Sequence, residues 1–148
     1  MSETVRIESE EAFSGFLDVV DGFRDALLHE IVVLHPGYVK ADGKMVGDAQ
    51  LPNARLIFQS QFEDIVAVQL DLKRISSFAI NFVRDFRWKA EFKPGQVRLY
   101  LVGYNGSQCC EVCAAEMEYK LLGKEARGPR YRMVRDELLV DDLFYNEL

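Results

Sequence analysis

The sequence predicts an α+β domain in which an N-terminal helix packs on a curved, mainly antiparallel sheet of about six to eight strands, followed by a short C-terminal helix or tail. Three observations lead there. Apolar residues near the N-terminus recur at helical spacing. From Ala54 onward they alternate at period two, in short runs with no helix-length segment between them, which argues against a parallel α/β sheet. An Asn-Gly pair, Asn105-Gly106, joins two of these runs as a type I′ hairpin turn would.

The helix begins at Ser9, a side chain suited to capping, and Glu10 and Glu11 then occupy the first turn, where the helix dipole favours acids. Phe13, Phe16, Leu17 and Val20 form one apolar face, and Asp21-Gly22 ends the element. Leu27 to Leu34 carries the β-branched run Ile31-Val32-Val33 and predicts a strand closed by Pro36-Gly37. The turn pairs Asp42-Gly43, Gly47-Asp48 and Pro52-Asn53 place a hairpin tip in the following stretch.

Strands then dominate. Ala54, Leu56 and Phe58 define one; Val66, Val68, Leu70 and Leu72 a second; Phe78, Ile80 and Phe82 a third; Val97, Leu99 and Leu101 a fourth. After the Asn-Gly turn, Cys113, Ala115, Met117, Tyr119 and Leu121 are expected on one face of a long strand, with Ala114, Glu116, Glu118 and Lys120 on the other. Gly123 to Pro129 reads as a basic loop and Tyr131 to Val134 as a further strand. The tail from Asp136 to Leu148 reads as a short helix with Leu138, Leu139, Leu143 and Phe144 inward. With no repeat and no linker, residues 1–148 form a single expected domain.

Hydrophobic residues make up 49% of the chain and charged residues 28%, which excludes a disordered or collagenous chain. No run approaches the ~18 apolar residues of a membrane span. The acidic start Met1-Ser2-Glu3-Thr4 has no apolar segment behind it, and three cysteines are an odd number, so a reducing cytoplasm is the expected location. The net charge of -6 is unevenly spread: residues 1–30 hold eight acids and two arginines, and residues 136–148 hold five acids and no base. The 105 residues between therefore hold 16 bases (18 − 2) and 11 acids (24 − 8 − 5), a basic body between acidic ends.

Few motifs carry chemistry. Cys110 and Cys113 form a CxxC pair, but structural zinc takes four ligands, and the two histidines, His29 and His35, lie far upstream. A redox CxxC belongs at a helix N-terminus, whereas this pair follows a hairpin and would point its sulfurs to opposite faces of a strand. The cysteines are expected as buried apolar residues, and neither a metal nor another cofactor is expected. A cysteine nucleophile assembled with a distant histidine stays open, because such groups meet in space. Carboxylate pairs such as Glu63-Asp64 and Asp141-Asp142 read as solvated charge, and Gln59-Ser60-Gln61 as polar cover at a strand end.

The basic-aromatic stretch is the best binding candidate. Arg84, Phe86, Arg87, Trp88 and Lys89 are its members, with Arg127, Arg130, Arg132 and Arg135 as extensions. Such residues suit phosphates and bases, or the centre of a protein interface. A sequence pI near 5.0, together with Asp85 and Glu91 inside the segment, makes nucleic acid the less expected partner. Trp88 fits a core position as well as a contact surface.

The run Phe23-Arg24-Asp25-Ala26-Leu27-Leu28-His29-Glu30-Ile31 resembles the opening of small bacterial α+β domains, some of which are similar to immunity proteins of bacterial toxin systems. That opening usually has His before Asp, where this chain has Arg24. The resemblance spans residues 23–82 and implies a fold type and a bacterial origin; it transfers no functional residue.

The expected function is accordingly a non-catalytic protein-interaction module with a protein partner and no membrane association. The alternative is a small-molecule-binding domain or an enzyme with a pocket between helix and sheet. Homo-oligomerisation is a further expectation, since a strand as long as Gln108 to Leu122 needs its edges covered, by the tail or by a second copy.

Overall fold

The computed structural model describes residues 3–61, 67–81, 86–103 and 105–123. Arg84, the carboxylate pairs and the strand and helix expected beyond residue 123 lie outside the described residues, as do Arg127, Arg130, Arg132 and Arg135.

The chain opens with β1 (Val5–Ile7) and α1 (Glu10–Val19). Ser9 caps the helix as its sequence suggests: its Oγ accepts from the Ala12 amide at 3.1 Å. Phe13 and Phe16 are the buried residues of the helix. A short turn, Asp21–Phe23, leads into β2 (Ala26–Leu34). The strands β3 (Tyr38–Val39) and β4 (Met45–Val46) form a separate two-stranded hairpin. The main sheet then takes β5 (Asn53–Ser60), β6 (Ala67–Ala79), β7 (Phe86–Lys93), β8 (Gln96–Gly103) and β9 (Gln108–Leu122). Its order is β2-β5-β6-β9-β8-β7, with β1 added beside β9, and the pairings are antiparallel.

The sheet is strongly curled. β5 and β7 are four strand steps apart, which in a flat sheet would separate them by about 19 Å. Yet the rings of Phe58 on β5 and Trp88 on β7 meet edge-on at 5.6 Å. The helix lies in the trough so formed. Phe13 stacks on Phe92 of β7 at 5.6 Å, and Phe16 meets Tyr119 of β9 at 4.9 Å. One cluster, including Leu56, Leu70, Leu72, Val97, Leu99, Val112 and Met117, fills the space between. No helix among the described residues is long and apolar enough to cross a membrane.

Four expectations are corrected. The strands predicted at Val66–Lys73 and Phe78–Phe82 are not separate, since β6 runs unbroken from Ala67 to Ala79. Arg74 takes a left-handed φ of 54°, its amide donates to Asn53 Oδ1 and the Ile75 amide donates to the Pro52 carbonyl, so the chain bends within one continuous strand. The single alternation along β9 also fails. Cys110, Val112 and Ala114 face the core up to this bend, and Met117, Tyr119 and Leu121 face it afterwards. The opposing residues of β6 switch at the same rungs, from Ile75 beside Ala114 to Leu72 beside Met117, so Lys73, Arg74, Ala115 and Glu116 make a corner turned away from the core.

The third correction concerns edges. β9 is not exposed along its length: β6 covers one side, while β8 and β1 share the other. The edge-covering reason for a second copy of the chain therefore falls away.

The Asn-Gly turn is also one residue longer than a type I′ connection. The Gly106 amide donates to the Gly103 carbonyl and the Gly103 amide to Ser107, with Gly106 left-handed at φ 83°. The β3–β4 hairpin repeats this pattern through Lys40, Gly43 and Lys44, with Gly43 at φ 89°. In both, an Asp or Asn side chain accepts the backbone amide two residues on, Asp42 from Lys44 and Asn105 from Ser107, each at 3.0 Å.

Candidate functional site

Backbone geometry singles out the segment between α1 and β2. Asp21, Gly22, Phe23 and Asp25 adopt φ of 51°, 60°, 62° and 52°. Left-handed backbone costs about 1–2 kcal/mol for each residue with a Cβ, so three such residues in five must be held in place. Phe23 does much of this. Its ring is buried, edge-on to Phe16 at 5.7 Å and tilted against Phe58 at 5.0 Å. Arg24 adds an ion pair to Asp21 at 2.8 Å.

β7 runs alongside this turn. Its alternation sends Trp88, Ala90 and Phe92 into or against the core, with Arg87, Lys89, Glu91 and Lys93 outward. Trp88 is 7% exposed and belongs to the core, so it leaves the set of surface candidates. Phe86 pairs with Gly103 through its backbone. Arg87 and Lys89 are exposed. Arg87 Nη2 reaches back over the edge of β7 to the Gly22 carbonyl at 3.3 Å. A Cβ on Gly22 would lie 3.3 Å from that same nitrogen, so a glycine suits both the backbone and the contact. Leu17, Gly22, Phe23, Arg87, Lys89, Ala90 and Tyr100 line a groove of about 220 Å³. Among the described residues neither Arg87 nor Lys89 is paired with a carboxylate.

Next to the groove a charged network is closed on itself. Arg98 Nε donates to Glu111 at 2.6 Å, Nη1 to Glu91 at 3.4 Å and Nη2 to Gln108 at 2.6 Å, while its guanidinium lies 4.1 Å from the centre of the Tyr100 ring. The Tyr100 hydroxyl donates to Glu91 at 3.0 Å. Burial and that bond raise the Tyr100 pKa, and the bond to Glu111 raises that of Arg98. Glu111 is held below the usual carboxylate range, first by its bond from Arg98 and then by the Cys113 thiol. Its stabilising contribution is therefore present above the unfolded-state value, near ~4.3, and is lost as pH falls through the lower folded value. Glu111→Gln should cost stability at neutral pH and progressively less below about pH 4; urea midpoints for both proteins at pH 7 and pH 3 would check this, and a constant difference would contradict it.

Cys109, Cys110 and Cys113 sit on β9, whereas His29 sits on β2, three strands along the sheet order, and no group of three or more His, Cys, Asp or Glu among the described residues is placed to hold a metal. His35 accepts the Gly37 amide through Nδ1 at the base of the small hairpin. Cys110 packs in the core cluster and Cys113 outside it. Burial pushes the thiol pKa of both Cys109 and Cys113 upward.

A second hollow was not foreseen in the sequence. The β3–β4 hairpin exposes Tyr38 (60%), Val39 (61%) and Met45 (69%). At its base Gly37 and Gly47 touch, so closely that a Cβ on Gly37 would come within 2.7 Å of the Gly47 carbonyl oxygen. Leu34, His35, Pro36, Tyr38, Val46 and Gln50 are among the residues lining a hollow of about 810 Å³ beside that contact. The signal available in the sequence was the pair of apolar dipeptides, Tyr38-Val39 and Met45-Val46, around Asp42-Gly43.

No protein-family model, no curated protein and no solved structure matches this chain.

Proposed function

We propose that this chain is a non-catalytic protein-interaction module of a bacterial cytoplasm, of the immunity-like kind, that binds an acidic segment of another protein along the rim of β7. The carrying observation is the left-handed turn at Asp21–Phe23, held by a buried aromatic ring beside two exposed cations that have no carboxylate partner among the described residues. Backbone strain of this kind persists only where its surroundings enforce it, and it concentrates at binding sites. The size of the groove favours a protein partner: about 220 Å³ is below the ~300 Å³ at which small-molecule sites begin, and suits a single inserted side chain. Arg87 and Lys89 then supply the attraction for carboxylates.

The test reverses the charge of the rim without touching the core. Wild type and the double variant Arg87→Glu, Lys89→Glu would each be used as bait in a lysate of the source bacterium. The expected result is a specific protein retained by wild type, released by added salt, and lost with the double variant. Equal recovery by both baits would remove the rim as the binding surface.

The hollow beside the β3–β4 hairpin favours a second reading. Its volume of about 810 Å³ falls within the ~300–1,000 Å³ of small-ligand sites. On this reading the chain is a small-molecule-binding domain or an enzyme, with its site at the hairpin base. A metabolite that raises Tm in wild type but not in Tyr38→Ala would establish it, and no shift across a broad library would remove it.

A further inference from the structure

β9 places two thiols side by side. Neighbouring residues on a regular strand point to opposite faces, which keeps their side chains apart. At Cys109 the strand departs from that rule. The pairing with β8 steps from Leu101 opposite Cys110 to Val102 opposite Gln108, so Cys109 is the extra residue of a bulge. The bulge brings Cys109 Sγ to 3.5 Å from Cys110 Sγ. Cys110 is fixed from the other side, since its sulfur accepts from the Asn81 amide at 3.0 Å and lies 3.4 Å from the Asn81 carbonyl oxygen. Cys109 is only half-buried and gives access to the pair. All three cysteines are free thiols.

We propose that Cys109 and Cys110 form a bidentate dithiol site for a trivalent arsenical of the type R–As=O. The separation suits a single soft centre. With bonds to sulfur of about 2.3 Å, taken from the zinc–thiolate distance, two sulfurs at angles between right-angled and tetrahedral lie ~3.3–3.8 Å apart. The observed 3.5 Å falls within that interval. The number of donors suits arsenic over zinc. A structural zinc ion takes four ligands, and the described residues hold no group of three or more His, Cys, Asp or Glu placed to bind a metal. An arsenical that keeps its carbon substituent needs only two sulfurs.

The reaction balances without an oxidant. Two As–S bonds form, two S–H bonds and the arsenic–oxygen double bond break, and the two thiol protons leave with that oxygen as one water. Arsenic remains trivalent and no electron is transferred.

Phenylarsine oxide is the probe, added to the reduced 148-residue chain and followed by intact mass and by counting free thiols. Wild type should take up one equivalent and lose two of its three free thiols, counted after the chain is denatured. The adduct should survive excess monothiol and be reversed by a dithiol such as 2,3-dimercaptopropanol. Cys113→Ser retains only the proposed pair and should behave as wild type. Cys109→Ser retains Cys110 and Cys113, whose positions on opposite sides of β9 prevent chelation, and should lose the monothiol-resistant adduct. A thermal melt establishes that each variant is folded at the assay temperature. If Cys109→Ser is unfolded, Cys113→Ser alone decides the matter. No adduct with wild type, its loss in Cys113→Ser, or its full retention in folded Cys109→Ser would each overturn the proposal.

Discussion

Replacing Asp71 with alanine is expected to destabilise the fold by about 3–5 kcal/mol, the range for removing one partner of a buried ion pair. Arg55 and Asp71 face each other across β5 and β6. The guanidinium grips the carboxylate through both Nε and Nη2, the latter at 2.7 Å, and the side chains are only 4% and 14% exposed. Gln69, with its amide oxygen turned toward Arg55, adds two contacts at 3.2 Å. Once Asp71 is shortened the guanidinium keeps its charge and its burial but loses its carboxylate, which is costlier than losing one exposed salt bridge. Urea midpoints at neutral pH would measure the loss. The double variant Arg55→Met, Asp71→Leu makes the comparison sharper: with both charges gone, most of the stability should return. A single variant within ~1 kcal/mol of wild type would mean the pair is solvated like a surface bridge.

Phe58→Ala should cost a similar amount, about 3–5 kcal/mol, since it empties a fully packed aromatic site. The ring is 1% exposed and touches both Phe23 and Trp88. It therefore supports two features: the closure of the curled sheet onto β7 and the left-handed turn beside the groove. Phe58→Leu keeps most of the volume and should cost roughly half as much, by about the 1–3 kcal/mol typical of reshaped cores. The same calorimetric or urea series separates them. If the alanine variant loses less than ~2 kcal/mol, the surrounding rings have collapsed into the space and the turn does not depend on Phe58.

Local features of this fold were legible in the sequence. The helix from Glu10 to Val19 follows from Ser9, two acids and four apolar residues, all within one window. β2, β5 and β8 follow from β-branched content or alternation. What escaped depends on contacts between distant segments. Nothing near Cys113 signals that β9 changes faces at Glu116, because the change is shared with Arg74 on β6, forty-two residues away. Gly22 suggests a positive φ, but Phe23 in the same conformation is decided by the cavity that receives its ring. The candidate site was half legible. Alternation along β7 already separates Arg87 and Lys89 from Trp88, whereas the groove beside them exists only because the end of α1 returns to that strand.

The corner at Arg74 and Glu116 has a consequence for how the domain comes apart. On one side of it β9 is joined to the β7–β8 hairpin, and on the other to β1, which leads directly into α1. β6 and β9 are the spine common to both. Release of β1 would uncover Met117 and Tyr119 while the rungs from Val97–Ala114 to Leu101–Cys110 stay paired. These make two separate local opening units on one pair of long strands, and amides of the spine are expected to outlast those of either unit in exchange with solvent.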